Sequence, residues 1–107
     1  MGPIISVVMP VLNGDPEHLK LSIESILQQS MIDFEFIIID DCSNQETKQL
    51  LSTYYAQDDR IRIITNEANK GIAKSLNYGI SLASGEKIII FLDKFSSNSI
   101  SFFKFFG

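Results

Sequence analysis

Along the chain, short runs of apolar residues alternate with longer segments in which apolar residues recur at helical spacing. Four runs are rich in β-branched residues, which is typical of strands that are covered on both faces of a parallel sheet. They span residues 4–10, 34–39, 61–64 and 87–92. This order predicts a β-α-β-α-β-α-β chain that folds as a three-layer α/β/α domain with a mostly parallel sheet of about four strands.

The segments between the runs predict three helices. The first opens with Asp15 as its N-cap and ends near Gln29, and the second opens on the capping box Ser-Asn-Gln-Glu at 43–46. The third spans about 72–83, since Gly85 is typical of a position just beyond a helix C-terminus. The helical spacing of apolar residues predicts the buried faces. These positions are Leu19, Ile23, Ile26, Leu27, Leu50, Leu51, Tyr54, Tyr55, Ile72, Leu76, Ile80 and Ala83.

Two residues indicate where strands end or become exposed. Pro10 is expected to close the first strand, because proline donates no hydrogen bond to a strand ladder, and residues 11–14 then form a loop. Arg62 interrupts the third apolar run, which predicts an edge strand or a partly exposed one.

The second apolar run ends in two adjacent carboxylates, Asp40 and Asp41. The carboxyl ends of parallel strands are where open α/β sheets bind their ligands. Adjacent acids repel each other, and no neighbouring residue in the sequence neutralises them, so a donor-rich or cationic ligand is one interpretation. The other interpretation is that one of the acids caps the helix that follows, and the sequence leaves both open.

Length and composition limit the class of protein. The 107 residues suffice for one domain with a core. The 9 basic and 13 acidic residues give a net charge of −4, which argues against a nucleic-acid-binding surface. The single cysteine, Cys42, cannot form an internal disulfide, so the cytoplasm is the expected compartment. No apolar run reaches the roughly 18 residues that suggest a membrane-spanning helix, so no transmembrane segment is expected.

The last residues have a different composition. From Phe95 onward the chain uses mainly serine and phenylalanine, and four of the eight phenylalanines lie between 102 and 106. Because no clean period emerges, the pattern assigns no helix or strand there. The rings are expected to pack on the body, to pair with another chain or to form an exposed apolar patch.

Several short motifs along the chain are similar, in order and spacing, to those of the family 2 glycosyltransferases. The runs that carry the resemblance are Ser6–Gly14, Ser25–Gln29, Asp33–Ser43, Asn69–Gly71, Ser75–Ile80 and Ala83–Glu86. Each motif alone is weakly specific, but together they cover about residues 4–93. The resemblance implies a GT-A fold whose N-terminal half binds a nucleotide-diphosphate sugar, with 1–93 as that half and 94–107 as a divergent tail.

The resemblance places a nucleotide site at the ends of the first two strands. The residues that it assigns to this site are Pro10, Val11, Asn13, Asp41, Asp40 and Lys74, of which the first three would lie against the base and ribose. Asp41 matches the acid that accepts a hydrogen bond from the base, commonly the imide N–H of uracil in a UDP-sugar, and a carboxylate is a strong acceptor for it. Asp40 fits a structural role as well as a ligand contact. Lys74 either approaches the diphosphate or is a solvated residue on the helix surface.

Members of this family hold Mg²⁺ or Mn²⁺ with an Asp-x-Asp motif at the end of the fourth strand, where the ion offsets charge on the diphosphate leaving group. Asp93 matches the first acid of the motif, but Phe95 occupies the position of the second. Lys94 adds a positive charge between them. The sequence therefore predicts a poor site for a divalent cation.

The resemblance implies transfer of a sugar from a nucleotide-diphosphate donor to a saccharide or lipid acceptor, in the assembly of a cell-surface polysaccharide or glycolipid at the cytoplasmic face of the membrane. In the family, a further half carries the acceptor site and the catalytic base, so this chain is expected to be inactive alone and no catalytic residue is nominated. The alternative is a non-catalytic module left by truncation, which binds a nucleotide or forms a homodimer through its tail or an exposed fourth strand.

Overall fold

The computed structural model describes residues 4–11, 16–28, 33–41, 43–92 and 102–106. In order, the elements are β1 (Ile5–Val11), α1 (Pro16–Leu27), β2 (Phe34–Asp41), α2 (Gln45–Leu50), the π-helical segment π1 (Leu51–Tyr55), β3 (Ile61–Asn66), α3 (Ile72–Leu82), β4 (Lys87–Leu92) and β5 (Phe102–Phe106). The predicted alternation of strands and helices is therefore confirmed up to β4. Asp15 and Gln29, the predicted ends of the first helix, lie outside the described residues.

The described strands form one five-stranded sheet in the order β3-β2-β1-β4-β5. Strands β1 to β4 pair in parallel, which confirms the predicted mostly parallel α/β sheet. β5 pairs antiparallel with β4, with Ile88 opposite Phe106 and Leu92 opposite Phe102. The sequence pattern does not predict β5, because the tail lacks an alternation of apolar and polar residues, although aromatic residues favour strands.

The sequence predicts an edge or partly exposed position for β3 and an exposed position for β4, and the described sheet confirms only the first. Among the described strands β3 pairs only with β2, and Arg62 is exposed, which confirms the predicted edge position. The expectation of an exposed fourth strand is wrong, because β4 lies between β1 and β5. An antiparallel partner there pairs backbone groups that would otherwise have no ladder. The predicted boundary between a domain and a tail at residue 93 stays a prediction.

Helices cover both faces of the sheet, because successive side chains of a strand point to opposite sides. The core beneath α1 and π1 consists of Val7, Met9, Val11, Leu19, Ile23, Ile26, Phe34, Phe36, Ile38, Leu51, Tyr55, Ile61, Ile89 and Phe91. The core beneath α3 consists of Val8, Ile37 and Ile39, with Ile64, Leu76, Leu82, Ala83 and Ile88 packed against them. The inward positions predicted for the first two helices are confirmed, except that the side chain of Tyr54 lies outside the described residues.

Two small residues form the buried face of α3. Ser75 and Gly79 are its buried residues, whereas Ile72 and Ile80 are only partly buried. Leu76 and Ala83 pack against the core as predicted, whereas Ile72 and Ile80 are not in that contact set. The prediction misses Ser75 and Gly79, since a count of apolar residues gives no weight to serine or glycine. A Cβ atom on Gly79 would lie only 2.5 Å from Cγ1 of Val8, so glycine lets the helix backbone approach the sheet.

The second helix begins one residue later than predicted. Asn44 is its N-cap, and the Oδ1 atom of this residue accepts the N–H of Thr47 at 2.9 Å. Ser43 instead donates its N–H, at 3.0 Å, and its hydroxyl to Oδ1 of Asp40, so the predicted capping box is wrong. Asparagine and serine are equally good N-caps, and the bonds to Asp40 decide between the two candidates.

At the amino end of the sheet, Glu35 connects β1, β2 and the turn after α3. Its Oε2 atom accepts hydrogen bonds from the hydroxyl of Ser6 at 2.5 Å and from the N–H and hydroxyl of Ser84 at 2.6 and 2.9 Å. Burial raises the pKa of Glu35, but these hydrogen bonds and the charge of Arg62 outweigh it and hold the pKa below its ordinary value.

We expect Glu35→Gln to destabilise the protein near neutral pH and to have little effect in acid. Because the pKa is depressed in the folded state, the ionised carboxylate stabilises the fold above the pKa of the unfolded chain. This contribution is lost as the pH falls below about 4.5 and through the folded-state pKa. The measurement is urea unfolding of both proteins between about pH 7 and about pH 3.

Glu86→Gln is the matched control, since Glu86 is an exposed residue of the same turn. It should leave the free energy of unfolding unchanged across this range. A difference between wild type and Glu35→Gln that stays constant from neutral to acid pH would contradict the expectation.

Candidate functional site

The end of β1 is buried. β1 continues through Val11, which pairs with Asp40 of β2, so the prediction that Pro10 closes the strand is wrong. The described pairing of β1 with β4 ends at Val8, so among the described strands one side of β1 has no ladder near Pro10, and proline is tolerated at such a position. Val11 belongs to the core beneath α1 and is not a loop residue. Asn13 lies outside the described residues.

The two adjacent acids at the end of β2 point to opposite faces of the sheet. Asp40 shares the face of Ile38, beneath α1, and Asp41 shares the face of Ile39, beneath α3. Both acids are buried, with 1% of their surface exposed. The alternation of the strand separates the two carboxylates, so each has its own partners and no shared cation is needed to hold them together.

Asp40 is bound by the start of the second helix. Its Oδ1 atom accepts the N–H and the hydroxyl of Ser43, and its Oδ2 atom lies 3.4 Å from Nζ of Lys48. These contacts close the turn between β2 and α2. For Asp40, the geometry supports the interpretation in which an acid organises the following helix, although Asn44 is the N-cap itself.

Asp41 is bound by β3 and by the loop that leads into α3. Its Oδ1 atom accepts hydrogen bonds from Nδ2 of Asn66 at 3.0 Å and from the backbone N–H of Lys70 at 2.7 Å. Its Oδ2 atom accepts the backbone N–H of Gly71 at 2.9 Å. Nδ2 of Asn66 also donates to the hydroxyl oxygen of Ser75 at 3.0 Å. These five residues are called the Asp41 network below.

The network favours the ionised form of Asp41. Burial raises the pKa of Asp41, but the hydrogen bonds from Lys70, Asn66 and Gly71 and the charge of Lys70 hold the pKa below its ordinary value. A carboxylate has about four lone-pair positions, and the donors of the network fill three of them. Among the described residues, the second acceptor position of Oδ2 has no donor.

The backbone of Gly71 makes this arrangement possible. Its φ of 86° and ψ of 167° lie in a region that only glycine adopts without strain. In this conformation its N–H reaches Asp41, and it also donates to Oδ1 of Asn69 at 3.1 Å. A side chain at this position would strain the loop that supplies two of the donors to Asp41.

Four members of the network, Asn66, Lys70, Gly71 and Ser75, are not among the residues that the sequence predicts for the site. The sequence contains a signal for Asn66, because this polar residue directly follows the third apolar run. In the structure it ends β3 and pairs with Asp41 in the parallel register. Ser75 gives no such signal, since it lies inside an otherwise ordinary helix. The network depends on strand order, which the sequence alone does not specify.

Two further predicted site residues, Lys74 and Asp93, are not members of the Asp41 network. Lys74 is an exposed residue near the start of α3. Asp93 lies outside the described residues, and its neighbour in the metal motif is Phe95 rather than an acid. Within the part of the chain that is described, no three or more His, Cys, Asp or Glu residues are grouped to hold a metal ion.

A cavity of about 560 Å³ lies on the other face of the sheet, between α2 and β3. It is lined by Asp40, Gln45, Lys48, Gln49, Leu51, Ser52, Ala56, Ile63 and Thr65. Since Asp41 points to the α3 side, the cavity and the Asp41 network are separate. In the described ranges, no helix has the length and apolar character needed to cross a membrane.

Residues 6–94 match the model of the family described as Glycosyl transferase family 2. The chain belongs to this family. The glycosyltransferase GlyG of Streptococcus pneumoniae is 37% identical over 90 residues, which are 84% of this chain and 30% of GlyG. The bifunctional glycosyltransferase pgtA of Dictyostelium discoideum is 46% identical over 89 residues, which are 73% of this chain and 12% of pgtA. The chain therefore spans less than a third of the length of these relatives.

Solved structures with the GT-A glycosyltransferase fold resemble this family 2 chain. The mannosyltransferase PcManGT from Pyrobaculum calidifontis, in complex with GDP-Man and Mn²⁺, matches 87% of this chain and 28% of its own with a TM-score of 0.75 and 18% identity. TarS from S. aureus matches 87% of this chain and 27% of its own with a TM-score of 0.72 and 26% identity. The predicted GT-A-like fold is confirmed.

Proposed function

We propose that this chain binds the nucleotide of a nucleotide-diphosphate sugar and forms the donor-binding part of a glycosyltransferase that acts on a saccharide or lipid acceptor. The observation that carries this proposal is the Asp41 network. It holds an ionised carboxylate at the carboxyl end of β2, where open α/β sheets bind ligands, and no donor from the described part of the chain fills the second acceptor position of its Oδ2 atom. The class of ligand is supported by PcManGT, which was solved with GDP-Man.

The base would donate a ring N–H to the free acceptor position on Oδ2 of Asp41. The imide of uracil, as in a UDP-sugar, supplies such a donor, and a hydrogen bond to a charged acceptor is stronger than one to a neutral group. Pro10 shares the α3 face of the sheet with Asp41 and would lie beside the base. The side chain of Val11 points into the core beneath α1, so Val11 would contact the nucleotide through its backbone. Asn13 is the next proposed contact along the chain.

The other two candidates have different proposed roles. Lys74 is exposed near the start of α3, where its charge would face the diphosphate. Asp40 is proposed as a structural residue, because both of its oxygen atoms have partners on the face opposite Asp41. A setting at the cytoplasmic face of the membrane is proposed together with this function.

Nucleotide binding by this chain is proposed to be independent of a divalent cation. PcManGT holds Mn²⁺ together with its nucleotide sugar, and such an ion supplies positive charge at the diphosphate. In this chain Asp93 stands alone, with Lys94 and Phe95 after it. The described acids at this edge are already bonded to N–H and O–H donors.

The proposal is tested by titrating the ¹⁵N-labelled protein with UDP and following the amide signals by NMR, with and without Mg²⁺. We expect the largest shifts at the amides of Lys70 and Gly71, because both hydrogen-bond the carboxylate that would receive the base. The shifts should be unchanged by Mg²⁺. The amide of Glu86, in the exposed turn after α3, should not shift on addition of UDP and is the internal control.

An absence of shifts with both UDP and GDP would overturn the proposed function. Shifts confined to the cavity residues, such as Gln45 and Thr65, would place the ligand on the wrong face of the sheet and contradict the assignment to Asp41. In either case a dimerising module becomes the better candidate. The sheet topology supports this alternative, because among the described strands β5 pairs only with β4, and its other edge could pair with a second chain.

A further inference from the structure

We infer that Asn66 is a positioning residue that makes the Asp41 site selective for nucleobases with a ring N–H at their pairing edge, such as uracil and guanine. The inference rests on the proposed function and deepens it, because it concerns which base the same site accepts. Asn66 would act through Asp41 and would not itself contact the base.

The position of Asn66 is fixed by the sheet. It is the last residue of β3 and pairs in the parallel register with Asp41, the last residue of β2. Strand alternation turns its side chain to the α3 face, which it shares with Ile64. Asn66 is 5% exposed, so its amide is enclosed by the protein. The contact with Asp41 therefore follows from strand pairing, which is more rigid than a loop contact.

The orientation of the Asn66 amide is fixed as well. Its Nδ2 atom donates one proton to Oδ1 of Asp41 and the other to the hydroxyl oxygen of Ser75, each at 3.0 Å. A rotated amide would bring its carbonyl oxygen against the carboxylate, which places two acceptors face to face. Ser75 is fully buried in α3, so the amide is anchored on the helix at one end and orients the carboxylate at the other.

A carboxylate held in this way presents only an acceptor to the base. Asn66 and Lys70 donate to Oδ1 and Gly71 donates to Oδ2, so the acceptor position that the described residues leave without a donor is on Oδ2. Uracil and guanine offer a ring N–H at their pairing edge. Cytosine offers a ring nitrogen with a lone pair, which would oppose a lone pair of Asp41. A site built to accept an N–H discriminates strongly against an analogue that lacks it.

The test compares the affinities for UDP and CDP, measured by calorimetric titration, in the wild type, Asn66→Ala and Ser75→Ala. We expect the wild type to prefer UDP by at least about tenfold, and Asn66→Ala to prefer it by less than about threefold. Ser75→Ala keeps Asn66 but removes its second anchor, and should give an intermediate ratio. The matched controls Asn77→Ala and Ser81→Ala change exposed residues of α3 and should keep the wild-type ratio.

A wild-type ratio in both Asn66→Ala and Ser75→Ala would overturn the inference and leave the proposed function intact. A wild type that binds neither nucleotide would overturn the proposed function, and the inference with it. If Asn66→Ala does not fold, Ser75→Ala decides, with the amide signals of Lys70 and Gly71 as a second measurement. Those signals should shift in Ser75→Ala and remain in place in Ser81→Ala, and their failure to shift would overturn the inference.

Discussion

Replacement of Gly79 by valine is expected to lower the free energy of unfolding by about 2–4 kcal/mol. A Cβ atom alone would lie 2.5 Å from Cγ1 of Val8 and 3.2 Å from Cγ1 of Ile39, and valine adds two methyl groups beyond it. Both neighbours are fully buried and β-branched, so they have little freedom to rotate away. The helix would have to move off the sheet. Urea unfolding followed by circular dichroism measures the loss.

The control for Gly79→Val is Asn77→Val on the same helix. Asn77 is exposed, so the new side chain meets solvent, and the free energy of unfolding should change by no more than about 0.5 kcal/mol. This pair separates packing against the sheet from the helix propensity of valine. Equal losses in the two variants would contradict the close approach of α3 to the sheet.

The same helix shows which parts of the fold the sequence can predict. The strands β1 to β4 and their order along the chain follow from apolar, β-branched runs, because that pattern has few other stable arrangements. The buried face of α3 does not follow, since Ser75 and Gly79 are invisible in a count of apolar positions. β5 is not predicted either. Its pairing depends on the neighbouring strand β4, and its own pattern has no period.

The acid pair shows the corresponding limit for the site. The sequence identifies Asp41 and the end of β2, because carboxylates directly after an apolar strand are unusual and chemically informative. It leaves open whether the acid pair binds a donor-rich or cationic ligand or caps the next helix, and strand alternation resolves this by putting Asp40 and Asp41 on opposite faces. Two of the donors to Asp41 are the backbone N–H groups of Lys70 and Gly71. A pattern of side chains gives no information on such donors.

Asp41→Asn is expected to weaken UDP binding roughly tenfold to a hundredfold and to lower the free energy of unfolding by about 1–3 kcal/mol. The amide has nearly the shape of the carboxylate. If its oxygen keeps the bonds from Asn66 and Lys70, its NH₂ group faces the N–H of Gly71 and the base, so that donor meets donor. Calorimetric titration measures the first effect and urea unfolding the second.

The measurement that tests the central claim most directly is the calorimetric titration of UDP into the wild type, Asp41→Asn and Asp40→Asn. The two variants make the same chemical change at adjacent residues whose side chains lie on opposite faces of the sheet. Asp40→Asn retains an oxygen for the N–H of Ser43, so its fold should persist. We predict that Asp40→Asn binds UDP within about twofold of the wild type, while Asp41→Asn loses at least about tenfold. Unchanged binding by Asp41→Asn, or an equal loss in both variants, would contradict a nucleotide site built on Asp41.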